Sequence, residues 1–185
     1  MKKNIPALYI ITGGPGAGKT TLLNELSRSG CITASEEGRR IIKEQIRLNG
    51  EGLPWMNKKL FAELMFDASV KTYQEISRNT DSKTIFFDRG ILDTVGYLKV
   101  ENIPVPEKMQ TIARELAYHR NVFILPFWKE IYENDAERKQ SPEEAVHTFN
   151  CIKETYLEYG YNVIEIPKGT VAERICFILG KINES

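Results

Sequence analysis

The 185-residue chain has no surplus of either charge, since 25 lysines and arginines stand against 25 aspartates and glutamates. Without a basic excess there is no electrostatic footprint for nucleic acid, and without a basic run there is none for a membrane surface. Cysteine is scarce. Cys31, Cys151 and Cys176 are far apart, odd in number and outside any C-x-x-C spacing, so neither a disulfide framework nor a zinc site is indicated, and free, buried thiols are expected. Histidine is scarcer still: His119 and His147 are isolated in sequence, read as helix-surface or helix-end positions, and suggest neither a metal site nor a nucleophile. No apolar run approaches the roughly 20 residues that span a bilayer. Lys2 and Lys3 before an apolar stretch resemble a signal peptide only superficially, because that stretch is short and leads straight into a glycine-rich turn. These absences predict a cytoplasmic protein with no membrane partner. Linkers, low-complexity segments and repeats are absent too, so residues 1–185 are expected to form a single domain; no oligomeric state is specified.

What is present is concentrated. Gly13-Gly14-Pro15-Gly16-Ala17-Gly18-Lys19-Thr20 fits the pattern G-x-x-x-x-G-K-[ST]. An apolar run, Ala7 to Thr12, precedes it. Thr21 follows, and then Leu22, Leu23 and Leu26 at helical spacing, so the segment reads as strand, turn and helix. Glycines let the backbone aim successive N–H groups at one anion, and the helix N-terminus adds a positive field. Gly13 to Thr21 therefore make a candidate site for a nucleoside triphosphate. Lys19 supplies a point charge for the outer phosphates, and the Thr20 hydroxyl can ligate Mg²⁺.

Five segments read as short buried strands: Ala7 to Thr12, Cys31 to Ala34, Thr84 to Asp88, Val122 to Phe127 and Asn162 to Ile166. Helical patterns separate them. Ser35 to Leu48 carries Ile41, Ile42 and Ile46 on one face, and Phe61, Leu64, Met65 and Ala68 mark a helix after Pro54-Trp55. Others are expected over Thr94 to Val100, from Pro106 through Leu116, from Pro142 to Tyr159 and from Val171 to Ile182. Strands alternating with helices predict an α/β fold with a mostly parallel sheet covered on both faces, and ligands lie beyond the carboxyl ends of such strands.

Chemistry-bearing groups fall at that edge. The third strand ends Phe87-Asp88-Arg89-Gly90. A mechanical ATPase usually follows its strand-end Asp with a Glu that activates water, whereas an acid beside an arginine suits phosphoryl transfer to a bound acceptor. Asp88 can hold Mg²⁺ through water or take the acceptor's proton, and Arg89 can bind an anionic group or offset developing charge. After the second strand comes Ser35-Glu36-Glu37-Gly38-Arg39-Arg40. Ser35 can cap a helix there, while Glu36 can pair with Arg40, or orient or deprotonate an acceptor hydroxyl with Arg39 gripping a phosphate or carboxylate. Between the fourth strand and the next helix, the segment at about 128–142 holds Asp135, Glu137, Arg138 and Lys139 and suits a lid that excludes water. Arg138 is the candidate lid arginine, with Lys139 as substitute. Trp55 and Phe61 fit an acceptor pocket or a core, and Pro167 to Thr170 a base contact or a plain turn.

Together these motifs resemble the small P-loop ATPases related to the ribosylnicotinamide kinase domain, within the nucleoside and nucleotide kinase-like P-loop group. The resemblance covers nearly the whole chain. It implies a three-layer P-loop NTPase fold with a five-stranded parallel sheet in the order 2-3-1-4-5 and a helical lid, and an ATP·Mg²⁺ cofactor. It also implies an acceptor site between Glu36 and Asp88. In that analogy Lys19 and Thr20 serve the phosphates and Mg²⁺, Asp88 is the catalytic carboxylate, Glu36, Arg39 and Arg89 meet the acceptor, and Arg138 closes from the lid. No adenylyltransferase domain of the kind found beside the kinase domain in some relatives is expected, so a role in NAD metabolism is not implied. The expected activity is transfer of the γ-phosphoryl of ATP to an unidentified small-molecule acceptor, nucleoside-like or otherwise. The alternative is a nucleotide-dependent regulatory ATPase acting on a protein partner, although Asn57-Lys58-Lys59-Leu60 does not complete the N-K-x-D pattern of guanine-specific switches.

Overall fold

The computed structural model describes residues 7–14, 16–79, 84–131 and 141–184. In chain order the elements are β1 (Ala7–Gly13), α1 (Lys19–Arg28), β2 (Ile32–Ala34), α2 (Glu37–Leu48), α3 (Lys58–Asn79), β3 (Thr84–Asp88) and α4 (Ile91–Val100). Then come α5 (Glu107–Glu115), β4 (Asn121–Leu125), α6 (Pro142–Glu158), β5 (Asn162–Glu165) and α7 (Val171–Asn183), with a single 3-10 turn at Lys129–Ile131. The strands form one parallel sheet in the order β2-β3-β1-β4-β5. Among the described residues no helix is long and apolar enough to cross a membrane.

The continuous apolar runs of β1, β3 and β4 are explained by burial on both faces, whereas the edge strands β2 and β5, also expected to be buried, are mostly half-buried or exposed. Alternate residues divide between two cores. Leu8, Ile10, Ile85, Phe87, Val122 and Ile124 face one layer, built from α3, α4, α5 and α6 through Phe66, Leu92, Met109, Ile152 and Tyr156. Tyr9, Ile11, Phe86, Phe123 and Leu125 face the other, formed by Leu22, Leu23 and Leu26 of α1 and Ile178 of α7. The strand period of two thus yields a three-layer sandwich. Parallel pairing brings the carboxyl ends of the central strands level, with Ile11 beside Asp88 and Gly13 beside Leu125.

Local chemistry moves several expected boundaries. Pro126 has no N–H to donate, and β4 stops at Leu125 rather than at Phe127. Helix α2 begins at Glu37 with Glu36 as its N-cap residue, so Ser35 does not cap it. Pro106 is the residue before α5 rather than within its first turn. Ile46 is 56% exposed, because the cluster that holds Ile41 and Ile42 ends one turn short of it. Trp55 is 65% exposed and belongs to neither core nor pocket, whereas Phe61 is buried. The thiols are not buried as expected: Cys31 and Cys151 are half-buried and Cys176 is exposed.

One close approach fixes where β1 hands over to the turn that follows. Gly13 has φ +148°, and a Cβ there would stand 2.7 Å from the carbonyl oxygen of Leu125. Replacement Gly13→Ala is expected to lower the unfolding free energy by about 1–3 kcal/mol, read from urea denaturation. An unchanged midpoint would show that β1 and β4 are not held this tightly.

Candidate phosphoryl-transfer site

The glycine-rich turn lies at the carboxyl end of the central strand. Gly16 and Gly18 adopt left-handed φ values of 75° and 77°, which side chains resist. Gly18 is the N-cap of α1, no side chain bonds the helix start, and its first turn contains no acid. An uncapped helix start with unsatisfied N–H groups is a ready anion site. Gly14 and Ala17 are buried within the turn, Thr20 and Thr21 are exposed on the first turn of α1, and Pro15 lies outside the described residues.

Lys19 is 7% exposed and donates to the Asp88 carboxylate at the end of β3. It also lies 3.9 Å from Glu36. Glu36 accepts from the Arg89 Nε at 3.0 Å, and Arg89 reaches on through Nη1 to Asp93 at 3.2 Å. Arg39 is half exposed and approaches Glu36 at 3.8 Å. The structure therefore brings Lys19, Glu36, Asp88 and Arg89 into one cluster with Arg39 at its rim. Arg40 departs from the expected pairing within α2, bonding Glu37 at 2.6 Å rather than Glu36. Arg138 lies outside the described residues, as do Asp135, Glu137 and Lys139.

Proton affinities follow from this crowding. Burial lowers the Lys19 pKa and Arg89 lowers it further, and the attraction of Asp88 and Glu36 does not restore it. Burial raises the Asp88 pKa, with Glu36 adding to the rise against the pull of Lys19. Burial acts on Glu36 in the same direction, yet Arg89, Lys19 and Arg39 outweigh it and hold Glu36 below its ordinary value. Burial alone would depress Arg89, but the carboxylates of Glu36, Asp93 and Asp88 raise it. Asp88 is thus the readier proton acceptor, while Glu36 is held as an anion.

Three residues of this neighbourhood escaped the sequence reading. Asp93 is 7% exposed and accepts from Thr12 of β1, from the Gly90 N–H at 2.8 Å, from Arg89 and from the fully buried Tyr156 hydroxyl at 2.6 Å. It was invisible because α4 was expected to begin at Thr94, whereas it begins at Ile91 and makes Asp93 a first-turn acid. Tyr156 lay within the expected Pro142 to Tyr159 helix with nothing to single it out. Arg174 of α7 is 4% exposed, donates to the Ala17 carbonyl oxygen at 2.9 Å and lies 5.8 Å from the Trp128 ring centre. Its buried Nε has no partner, and burial lowers its pKa. A lone arginine among the apolar residues of α7 was the signal available.

The histidines stay outside this cluster. His119 packs on the Tyr9 ring with centres 4.1 Å apart. His147 is exposed on α6, where its Nε2 lies 3.6 Å from the Cys151 Sγ one turn on, a contact that the i,i+4 spacing allows.

Beside the charged cluster opens a cavity of about 350 Å³, within the range of small-molecule sites. Ile42, Phe61, Met65 and Tyr97 supply apolar walls, and Glu36, Asp88, Arg89 and Asp93 line its end at the sheet. Phe61 and Tyr97 meet edge to face with ring centres 5.7 Å apart.

Sheet order, glycine turn and buried lysine define a P-loop protein of the kinase-like fold. The chain belongs to the AAA domain family, whose profile matches residues 8–174. No curated protein matches it. Among solved structures, deoxyadenosine kinase from M. mycoides, with dCMP and dCDP bound, is 19% identical with a TM-score of 0.65, and the match covers 96% of this chain and 100% of that one. The NadR protein in complex with NR gives 14% identity and a TM-score of 0.72 over 97% of this chain, which spans 52% of that one. Thymidylate kinase from Ehrlichia chaffeensis is 13% identical with a TM-score of 0.65, covering 96% and 98%. At such identities the likeness is one of fold.

The ion cluster carries a pH signature. Because Glu36 is depressed from 4.5, the stability it contributes is complete above that value and is lost as pH falls through its lower folded value. Asp88, raised from 3.8, acts in the opposite sense, so the term is isolated by comparing wild type with Glu36→Gln. The wild-type advantage in urea unfolding is expected to shrink between about pH 5 and about pH 3. An advantage independent of pH would show that Glu36 is not held as an anion.

Proposed function

We propose that the chain is an ATP-dependent phosphotransferase in which residues 1–185 act as one nucleotide-binding unit and the segment at about 128–142 serves as its lid. The observation that carries this reading is the Lys19–Asp88 contact, whose carboxylate lines the cavity together with Glu36 and Arg89. A cation for the outer phosphates and a carboxylate for an acceptor proton there share one edge with a chamber for the acceptor. The fit to a triphosphate rests on the uncapped start of α1 and the left-handed glycines beside it. Thr20 and Asp88 would hold Mg²⁺, whose preference is for a few protein oxygens completed by phosphates. Bound ATP·Mg²⁺ supplies the γ-phosphoryl group.

The chain's own residues then act by position and charge, which is most of the catalysis in such transfers. Main-chain N–H groups of the turn and the start of α1, between Gly13 and Thr21 with Pro15 contributing none, bind the phosphates. Lys19 leaves Asp88 for the phosphate charge. Asp88, with its raised affinity for protons, takes the proton of the acceptor hydroxyl, and the anionic Glu36 orients that hydroxyl. Arg39 and Arg89 border the acceptor, and Arg138 closes with the lid over the triphosphate to exclude water. A nucleoside-like acceptor suits the apolar walls of the cavity. A cavity of this size also favours a small molecule over the regulatory reading, in which a protein partner would dock.

The direct test incubates the protein with ATP·Mg²⁺ and a metabolite pool and looks by mass spectrometry for a product heavier by one phosphoryl group. Hydrolysis of ATP with no phosphorylated acceptor would end the kinase reading. Lys19→Ala is expected to lower kcat by about 10²–10³-fold. Asp88→Asn should lower it by about 10²-fold or more while largely sparing nucleotide binding by calorimetry. Arg138→Ala is expected to reduce kcat on the order of 10³-fold with a smaller change in the KM for ATP, and an unaltered kcat would remove Arg138 from the machinery.

A further inference from the structure

We infer that the cavity beside the glycine turn takes a nucleoside that carries no anionic group and rejects its phosphorylated or carboxylated counterparts, an inference that rests on reading this cavity as the acceptor site. The argument is one of charge. Five of the residues lining the cavity are acids (Glu36, Glu37, Asp88, Asp93 and Glu101) and two are arginines, Arg39 and Arg89. The cations near it already have carboxylate partners, and Lys19 turns from its own only toward the donor phosphates. Arg89 is divided between Glu36 and Asp93, Lys19 is held by Asp88 and Glu36, and Arg39 leans on Glu36.

Arg89 is the group best placed to greet an anion, and it is the least able to turn. Its partner Asp93 is buried and fixed from three further sides by Thr12, the Gly90 N–H and Tyr156. Swinging the guanidinium toward an acceptor phosphate would strand that carboxylate in the interior, where an unpaired charge is strongly disfavoured. An acceptor phosphate would also meet Glu36 and Asp88 at short range, with the phosphates of the donor adding like charge. What the walls leave open is a group without negative charge. Phe61, Met65 and Tyr97 offer surfaces for a flat ring, and the buried hydroxyls of Tyr97 and Thr148 have no hydrogen-bond partner.

The test uses the full chain loaded with a non-hydrolysable ATP analogue and Mg²⁺. Calorimetry compares the common ribo- and deoxyribonucleosides with their 5′-monophosphates, and adds shikimate as a carboxylated alcohol. At least one nucleoside is expected to bind about 10-fold or more tightly than its own monophosphate and than shikimate. Tighter binding of any monophosphate or of shikimate, or no binding by any nucleoside, overturns the inference. A nucleoside that binds preferentially but is never phosphorylated with ATP would instead remove the kinase reading and leave the charge selection standing.

Two variants locate its origin. Asp93→Asn frees one side of Arg89 and should narrow the nucleoside-over-monophosphate preference several-fold, whereas Tyr156→Phe, which keeps the charge, should not. Where Asp93→Asn fails to fold, Glu101→Gln releases Lys58 from its partner at the rim and should narrow the preference in the same direction. A preference unmoved in the folded variant overturns the inference.

Discussion

A line of five alternating charges, Asp88–Lys19–Glu36–Arg89–Asp93, holds the working edge of this molecule together. Its members come from β3 and the residue after it, the start of α1, the two-residue link between β2 and α2, and the start of α4. Groups this enclosed are tolerated only when paired, because removing one partner leaves an uncompensated charge away from water. The line therefore fixes the mutual position of four segments distant in sequence. Its inner end is anchored by neutral donors, Thr12 and Tyr156, so the network ties β1 and α6 to α4 rather than ending at the surface.

The sheet keeps two tasks apart. Helix α1, which leaves the glycine turn, packs with α7 on one face, and Arg174 of α7 braces the turn through the Ala17 carbonyl. The cavity is walled by α2, α3, α4 and α6 on the other face. Period-two alternation in β1 and β3 separates these layers residue by residue. Only the carboxyl ends of the strands belong to both, and the charged line crosses there.

Much of this was legible before any coordinates. The five apolar runs became the five strands, and the glycine turn with Lys19 marked its own place, because strand, turn and helix each leave a local pattern. The strand order came from the resemblance, since periodicity is silent about which strands are neighbours. Long-range partners left less trace. Arg89 read as a free hand for an anion, but its ties to Glu36 and Asp93 span a sheet and a helix start. Asp93 was hidden by a helix boundary misplaced by three residues, and Arg174 by the apolar company it keeps. Exposed Trp55 and Ile46 mark the opposite error: an apolar residue at helical spacing is buried only where another element arrives to cover it.

The two tryptophans occupy contrasting surroundings. Trp55 stands in solvent on the connection before α3, while Trp128 follows β4 with the Arg174 guanidinium over its ring, one residue from the turn that Arg174 supports. Indole emission depends on polarity and on nearby cations, so the protein has a built-in optical reporter of its phosphate loop, with a second fluorophore far enough into water to serve as its internal standard.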